Sequence, residues 1–130
     1  MNLGSIFESK YTVGEKTFAS FRDTFKDYNS LHTNDDHAIK NGFKSKIMYG
    51  NILNGYISHF IGELLPLKDI VIVTQTINFK KPFYLNDTIF LKAFIDDFYE
   101  SVNIYDISFE FFKVNQVLIA KGKIKIKALS

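Results

Sequence analysis

Gly50-Asn51-Ile52-Leu53-Asn54-Gly55-Tyr56-Ile57-Ser58-His59-Phe60-Ile61-Gly62-Glu63-Leu64-Leu65-Pro66 is the stretch that decides the fold. Its apolar residues fall in neighbouring pairs four apart: Ile52 and Leu53, Tyr56 and Ile57, Phe60 and Ile61, Leu64 and Leu65. That period draws one broad stripe along a helix that opens just after Gly50. Pro66 stops it, because its ring removes a backbone donor and blocks another turn. A stripe this wide needs cover on more than one side, which a sheet wrapped around the helix supplies.

The strands for that sheet follow. Ile70 to Phe79 holds Val71, Ile72, Val73, Thr74, Thr76 and Ile77, whose β-branched side chains suit a pleated surface. Lys80-Lys81-Pro82 ends it, and Asn86-Asp87 marks a turn. Thr88 to Phe98, Val102 to Val114 and Val117 to Ala128 read as three more strands, with hairpin connections near Glu100-Ser101 and Asn115-Gln116. Ile124 and Ile126 alternate with Lys123, Lys125 and Lys127, the pattern of a strand with one wet face. Upstream of the helix, Ser5 to Tyr11 reads as a first strand. Thr12 and Glu15 have the spacing of a capping box, and Phe18, Phe21 and Phe25 give the next helix an aromatic face that ends near Asp27. Asp35 to Lys40 is a short helix capped by Asn34. The class is α+β: one domain over residues 1–130, with an antiparallel sheet wrapped around one long central helix.

The composition narrows the function. Acids and bases are interspersed and the net charge is only +2, which excludes a dedicated nucleic-acid surface. Cys is absent, so disulfides, thiolate metal sites and cysteine nucleophiles are excluded together. The 14 Phe and 7 Tyr without a Trp reflect either codon bias or an apolar tunnel lined with rings. The N-terminal residues lack a basic region followed by a long apolar run, and no segment has the apolar length to cross a bilayer, so a soluble cytoplasmic protein is expected.

The chemistry is concentrated in Asp27-Tyr28-Asn29-Ser30-Leu31-His32, followed by Gly42-Phe43 and by Ile47-Met48-Tyr49-Gly50. A carboxylate and an imidazole, five residues apart, can hold and activate one water. Gly50 stands where the long helix begins and N–H groups lack partners, so it is either an oxyanion donor or a packing glycine. Asn29 either orients the pair or makes the turn. Together these are the parts needed to add water to an acyl thioester or remove it. His37 and His59 are expected to be structural. The three histidines and Asp27 match no zinc or iron spacing, so no metal is expected. No phosphate-binding glycine loop or serine nucleophile elbow is present.

Asp27-x-Asn29-x-x-His32, then Gly42-Phe43, then Ile47-x-x-Gly50 opening the helix, then Phe79-Lys80-Lys81-Pro82 and Asp87, resembles the MaoC-like, (R)-specific enoyl-CoA hydratases and dehydratases of the hotdog fold. The match in element order covers nearly the whole chain. The resemblance implies a cofactor-independent lyase that hydrates trans-2-enoyl thioesters of coenzyme A or acyl-carrier protein to (R)-3-hydroxyacyl thioesters. It implies catalytic Asp27, His32, Asn29 and Gly50, a substrate site that includes Tyr49, Asn51, Gly55, Phe79 and Lys80, and a homodimer with its site at the subunit interface. No nucleic-acid or membrane partner is implied. Lys80 and Lys81 either meet the phosphates of the thioester arm or form a solvated strand end. Tyr49 stands where the family usually has His, Ser30 and Lys46 where Pro is common, Asn86 where Gly is usual, and Asn54-Gly55 where many members carry a small hydroxyl residue. The nearest enzymatic rival is a hotdog thioesterase, against which the Asp27-x-Asn29-x-x-His32 arrangement counts. Tyr49 and Gly55 leave room for a non-catalytic acyl-binding module, and the shifted residues around the helix for an enzyme of an unusual acyl group.

Overall fold

The computed structural model describes residues 1–129. Five strands, β1 (Ile6–Thr12), β2 (Ile70–Phe79), β3 (Thr88–Tyr99), β4 (Ile104–Lys113) and β5 (Val117–Ala128), form one antiparallel sheet in the order β1-β3-β4-β5-β2. Four helices precede β2: α1 (Glu15–Phe25), α2 (Ser30–Thr33), α3 (Asp35–Lys40) and α4 (Ile52–His59). The bounds of β2 and β5 are those expected from the β-branched runs. α3 also runs as expected, with Asn34 Oδ1 accepting the His37 N–H at 3.0 Å. Asn103, Asn115 and Gln116 take left-handed backbone angles in the two hairpin connections. Asn86 does the same ahead of β3, which explains how this chain dispenses with glycine there, since Asn tolerates that region well.

The strands alternate as the pleat demands. Ile89, Leu91, Ala93 and Ile95 of β3, Tyr105, Ile107, Phe109 and Phe111 of β4, and Ile124, Ile126 and Ala128 of β5 are buried on the inner face. Lys123, Lys125 and Lys127 point away, and Lys125 Nζ reaches Asp106 Oδ1 at 2.5 Å on the outer face. Register shifts in β2–β5, β3–β4 and β4–β5 accompany the curl of the sheet. Ile52, Leu53, Ile57, Phe60 and Ile61 of the central segment fill the concavity, each no more than 4% exposed.

Two expectations are corrected. The long helix is not α-helical to its end: from Phe60 to Leu64 it widens into a π turn. That turn advances fewer degrees per residue, so Leu64 rotates out to 42% exposure while Leu65, just beyond, returns to the core. Thr12 and Glu15 form no capping box. Thr12 is held extended as the last residue of β1, opposite Thr88, and Gly14 occupies the cap of α1 with no side-chain bond.

Gly122 marks the closest approach in the sheet. A Cβ there meets the Thr76 carbonyl oxygen at 1.9 Å and Phe109 Cζ at 2.7 Å. The obstacle on the β2 side is backbone, which cannot step aside. Gly122→Ala is therefore expected to destabilise the protein by about 3 kcal/mol or more, whereas Gly62→Ala, with nothing within 4 Å of its new methyl, stays near neutral. Equal urea midpoints for the two variants would contradict this packing.

Candidate active site

α1 ends where Lys26 turns into the left-handed region, and Asp27 follows on the exit. The Asn29 N–H donates to Asp27 Oδ1 at 3.1 Å, closing a tight side-chain turn. Asn29 Oδ1 in turn accepts the Leu31 N–H at 3.0 Å and caps α2. The Asn29 amide oxygen is thus spent on the turn, and Asn29 lines neither of the clefts described below.

His32 sits on α2, half-buried. Its Nδ1 lies 2.8 Å from the Ile47 carbonyl oxygen. A carbonyl only accepts, so Nδ1 carries the proton, and in the neutral ring Nε2 keeps its lone pair. The two segments are also zipped through backbone, with the Ile47 N–H donating to the Leu31 carbonyl at 3.0 Å. The imidazole tilts against the Tyr49 ring, centroids 4.3 Å apart.

Tyr49 is the hinge of the arrangement. Its ring, 2% exposed, lies against Phe21 and Phe18 at 4.7 and 5.7 Å. Its hydroxyl donates to the Asp27 carbonyl oxygen. Burial first, and the Asp27 charge second, push the phenol pKa above its ordinary value, so the hydroxyl remains a donor throughout the neutral range.

Asp27, His32, Tyr49 and Gly50 converge on one cleft of about 1040 Å³, which Asn51, Asn54, Gly55, Tyr56 and Phe21 also line. No hydrogen bond joins Asp27 to His32; each is anchored to backbone and faces the shared space. His32, Gly50 and Asn51 also border a second cleft of about 400 Å³, walled by Phe43, Phe79, Lys80, Lys81 and Pro82. These three residues therefore stand at the junction of two clefts. A Cβ at position 50 would meet the half-exposed Phe79 ring at 2.8 Å, so that ring would have to shift to admit one. The Gly50 and Asn51 N–H groups have no acceptor among the described residues, while their carbonyls accept from Leu53 and from Asn54 and Gly55 as the helix begins.

Of the aromatic candidates for a tunnel wall, Phe21 and Tyr56 line the larger cleft, whereas Phe18 and Phe60 are core. Tyr56 stacks on Tyr11 at 4.1 Å; its buried hydroxyl has no hydrogen-bond partner among the described residues, and burial pushes its pKa up to about 12. His59 lies outside the cleft, with Nδ1 2.9 Å from the Tyr11 hydroxyl, and His37 is exposed on α3. Sequence reasoning missed the hydroxyl wall of the cleft, Thr17, Ser20 and Thr24 on α1. Their spacing, i, i+3 and i+7, was the signal. It also missed Gln75, a part-buried polar residue of β2.

Relatives with this architecture are known. The chain is 33% identical over 78 residues to an (R)-specific enoyl-CoA hydratase of Rhodospirillum rubrum, a match that takes in 60% of this chain and 54% of that protein. The chain thus spans about half the length of that relative. It is 25% identical over 114 residues to the (R)-specific enoyl-CoA hydratase of Aeromonas caviae, covering 88% of this chain and 85% of that protein. The solved structure of an Aeromonas caviae (R)-hydratase involved in PHA biosynthesis superposes with a TM-score of 0.91 at 23% identity, over 98% of this chain and 97% of that one. A MaoC-like dehydratase from Rhodospirillum rubrum superposes at 0.79 and 13% identity, over 100% and 95%. At these identities the structural likeness establishes the hotdog fold. No protein-family model matches the chain.

Removing the Tyr49 hydroxyl leaves the Asp27 carbonyl without its donor. Tyr49→Phe is expected to lower stability by about 1 kcal/mol, read as a lower urea midpoint at unchanged slope. An unchanged midpoint would show that the turn holds itself.

Proposed function

We propose that this chain, a MaoC-like hotdog protein, catalyses the reversible syn hydration of trans-2-enoyl thioesters to (R)-3-hydroxyacyl thioesters. The observation that carries the reading is that Asp27, His32, whose Nδ1 is bound to the Ile47 carbonyl, and Gly50 line one cleft. The stereochemistry and the thioester substrate are those named for the hydratases it resembles.

In this reading one water sits between Asp27 and His32. His32 Nε2 takes a proton as the water oxygen bonds to C3, and the π electrons move through C2 toward the thioester oxygen. The Gly50 N–H, at the positive end of α4, stabilises that oxygen. The proton held by the pair then passes to C2 as the enolate collapses, so hydroxyl and hydrogen arrive on the same face. Dehydration runs the same steps backwards with the same groups. The acyl group lies in the larger cleft and the thioester arm leaves through the smaller one, where Lys80 and Lys81 meet its phosphates. No cofactor or metal takes part.

Asp27→Asn and His32→Ala are each expected to abolish most turnover of crotonyl-CoA while leaving the circular dichroism unchanged. Near-normal rates in both folded variants would refute the mechanism.

The homodimer belongs to the same proposal. β2 is an edge strand, and Val71, Ile72, Val73 and Phe79 on it are 42 to 52% exposed. It carries no charge or proline between Ile70 and Phe79, so nothing guards it against pairing. A second copy paired there in antiparallel sense continues the sheet across both subunits. Sedimentation at micromolar concentration is expected to give a dimer, and Val73→Lys to shift it toward monomer. A monomeric parent protein would contradict the proposed pairing.

A further inference from the structure

Asn51, Asn54 and Gln75 form a chain of three amides that no part of the mechanism above uses. Gln75 Nε2 on β2 donates to Asn54 Oδ1 on α4 at 2.5 Å. Asn54 Nδ2 donates to Asn51 Oδ1 at 2.8 Å. Asn54, in the middle, thus accepts through its oxygen and donates through its nitrogen, and the chain runs from Gln75 to Asn51. It ends at Asn51 Nδ2, whose two N–H groups donate to nothing among the described residues. Asn51 follows Gly50 and lines both clefts at their junction.

We propose that this relay fixes the Asn51 amide with its nitrogen toward the reacting centre, as a second donor beside the Gly50 N–H for the thioester oxygen. Asn54 and Gln75 are positioning residues that act through Asn51. The proposal rests on the hydratase reading for the identity of that oxygen. Its physical content is the polarity of the chain. An amide oxygen in the same place repels the charge that an amide nitrogen stabilises, and the Asn51 side chain by itself has no preference between them. The preference follows from which end of the Gln75 amide meets Asn54, here its nitrogen, two hydrogen bonds down the relay and on another element.

Polarity also makes the proposal testable in a way that a merely structural role is not. Gln75→Leu removes the far end and leaves Asn51 free to turn. Gln75→Glu keeps size and shape but replaces the terminal donor with a carboxylate that only accepts. Asn54 then donates to that carboxylate, its oxygen accepts from Asn51 Nδ2, and the Asn51 oxygen faces the site. The expected order of kcat on crotonyl-CoA is parent, then Gln75→Leu lower by about tenfold, then Gln75→Glu lower still, with KM little changed. Asn51→Leu loses the donor itself and is expected to fall by about 100-fold. Gln75→Glu equal to or faster than Gln75→Leu, with both variants folded, overturns the relay.

A second readout separates this proposal from the reaction it serves. Butyryl-CoA is saturated at C2 and C3 and cannot be hydrated. Titrated into ¹⁵N-labelled protein, it is expected to shift the Asn51 side-chain NH₂ resonances, and the shift is expected to vanish in Gln75→Glu. If the parent protein fails to hydrate crotonyl-CoA, the hydratase reading falls, and this titration alone decides whether Asn51 is a thioester donor. Butyryl-CoA that binds without moving the Asn51 amide, or that does not bind, overturns the proposal.

Discussion

Tyr49 is the side chain on which the rest of the site depends. Its ring is buried with Phe18 and Phe21 of the first helix, its face supports the His32 imidazole, and its hydroxyl holds the backbone at Asp27. One residue therefore sets the position of both Asp27 and His32, the pair proposed to activate water, and it stands immediately before Gly50. In the MaoC-like pattern that the sequence resembles, histidine is usual at this position; here a phenol stands instead. Aromatic packing and one hydrogen bond to a carbonyl locate the turn, with no second imidazole involved. Because the anchor is in the core, the precision of the site derives from the same burial that holds α1 against α4.

The second constraint is the meeting of Gly50 with Phe79. The ring occupies the space that any side chain at position 50 would claim. Gly50 and Phe79 both line the smaller cleft, where the end of β2 meets the start of α4. β2 is also the strand that carries Gln75 and the apolar edge. The proposed pairing edge, Gln75 and Phe79 of the smaller cleft all lie on one strand, so the proposal links assembly to the order of the site.

The amphipathic period of residues 50–66 and the β-branched runs made the central helix and the strands legible, because burial on a helix stripe or a pleated face leaves a repeat in the sequence. The turn from Asp27 to His32 is weakly specific by itself; it became legible as chemistry because a glycine opening the long helix and Phe79-x-x-Pro82 follow it at matching places. The π turn at Phe60 was not legible, since the apolar pairs continue through it unchanged and only the fit against the sheet decides the pitch. The Thr12–Glu15 spacing misled because strand pairing with Thr88 outweighed a local cap. Asn29 was ambiguous by its nature, as the same amide suits a turn or a catalytic contact; its oxygen is bound within the turn. Gln75 was hidden because one part-buried polar residue in a strand acquires meaning only from its partner on another element.

The account requires that one water, held by Asp27 and His32, supply both the hydroxyl and the hydrogen from one face of the double bond. Hydration of crotonyl-CoA in deuterium oxide, with the product resolved at C3 and the deuterium located at C2, reads this directly. (R)-3-hydroxybutyryl-CoA with deuterium and hydroxyl added to the same face is the predicted product. Deuterium on the opposite face, or an unreacted enoyl thioester after longer-chain and carrier-bound substrates have also been tried, would contradict it.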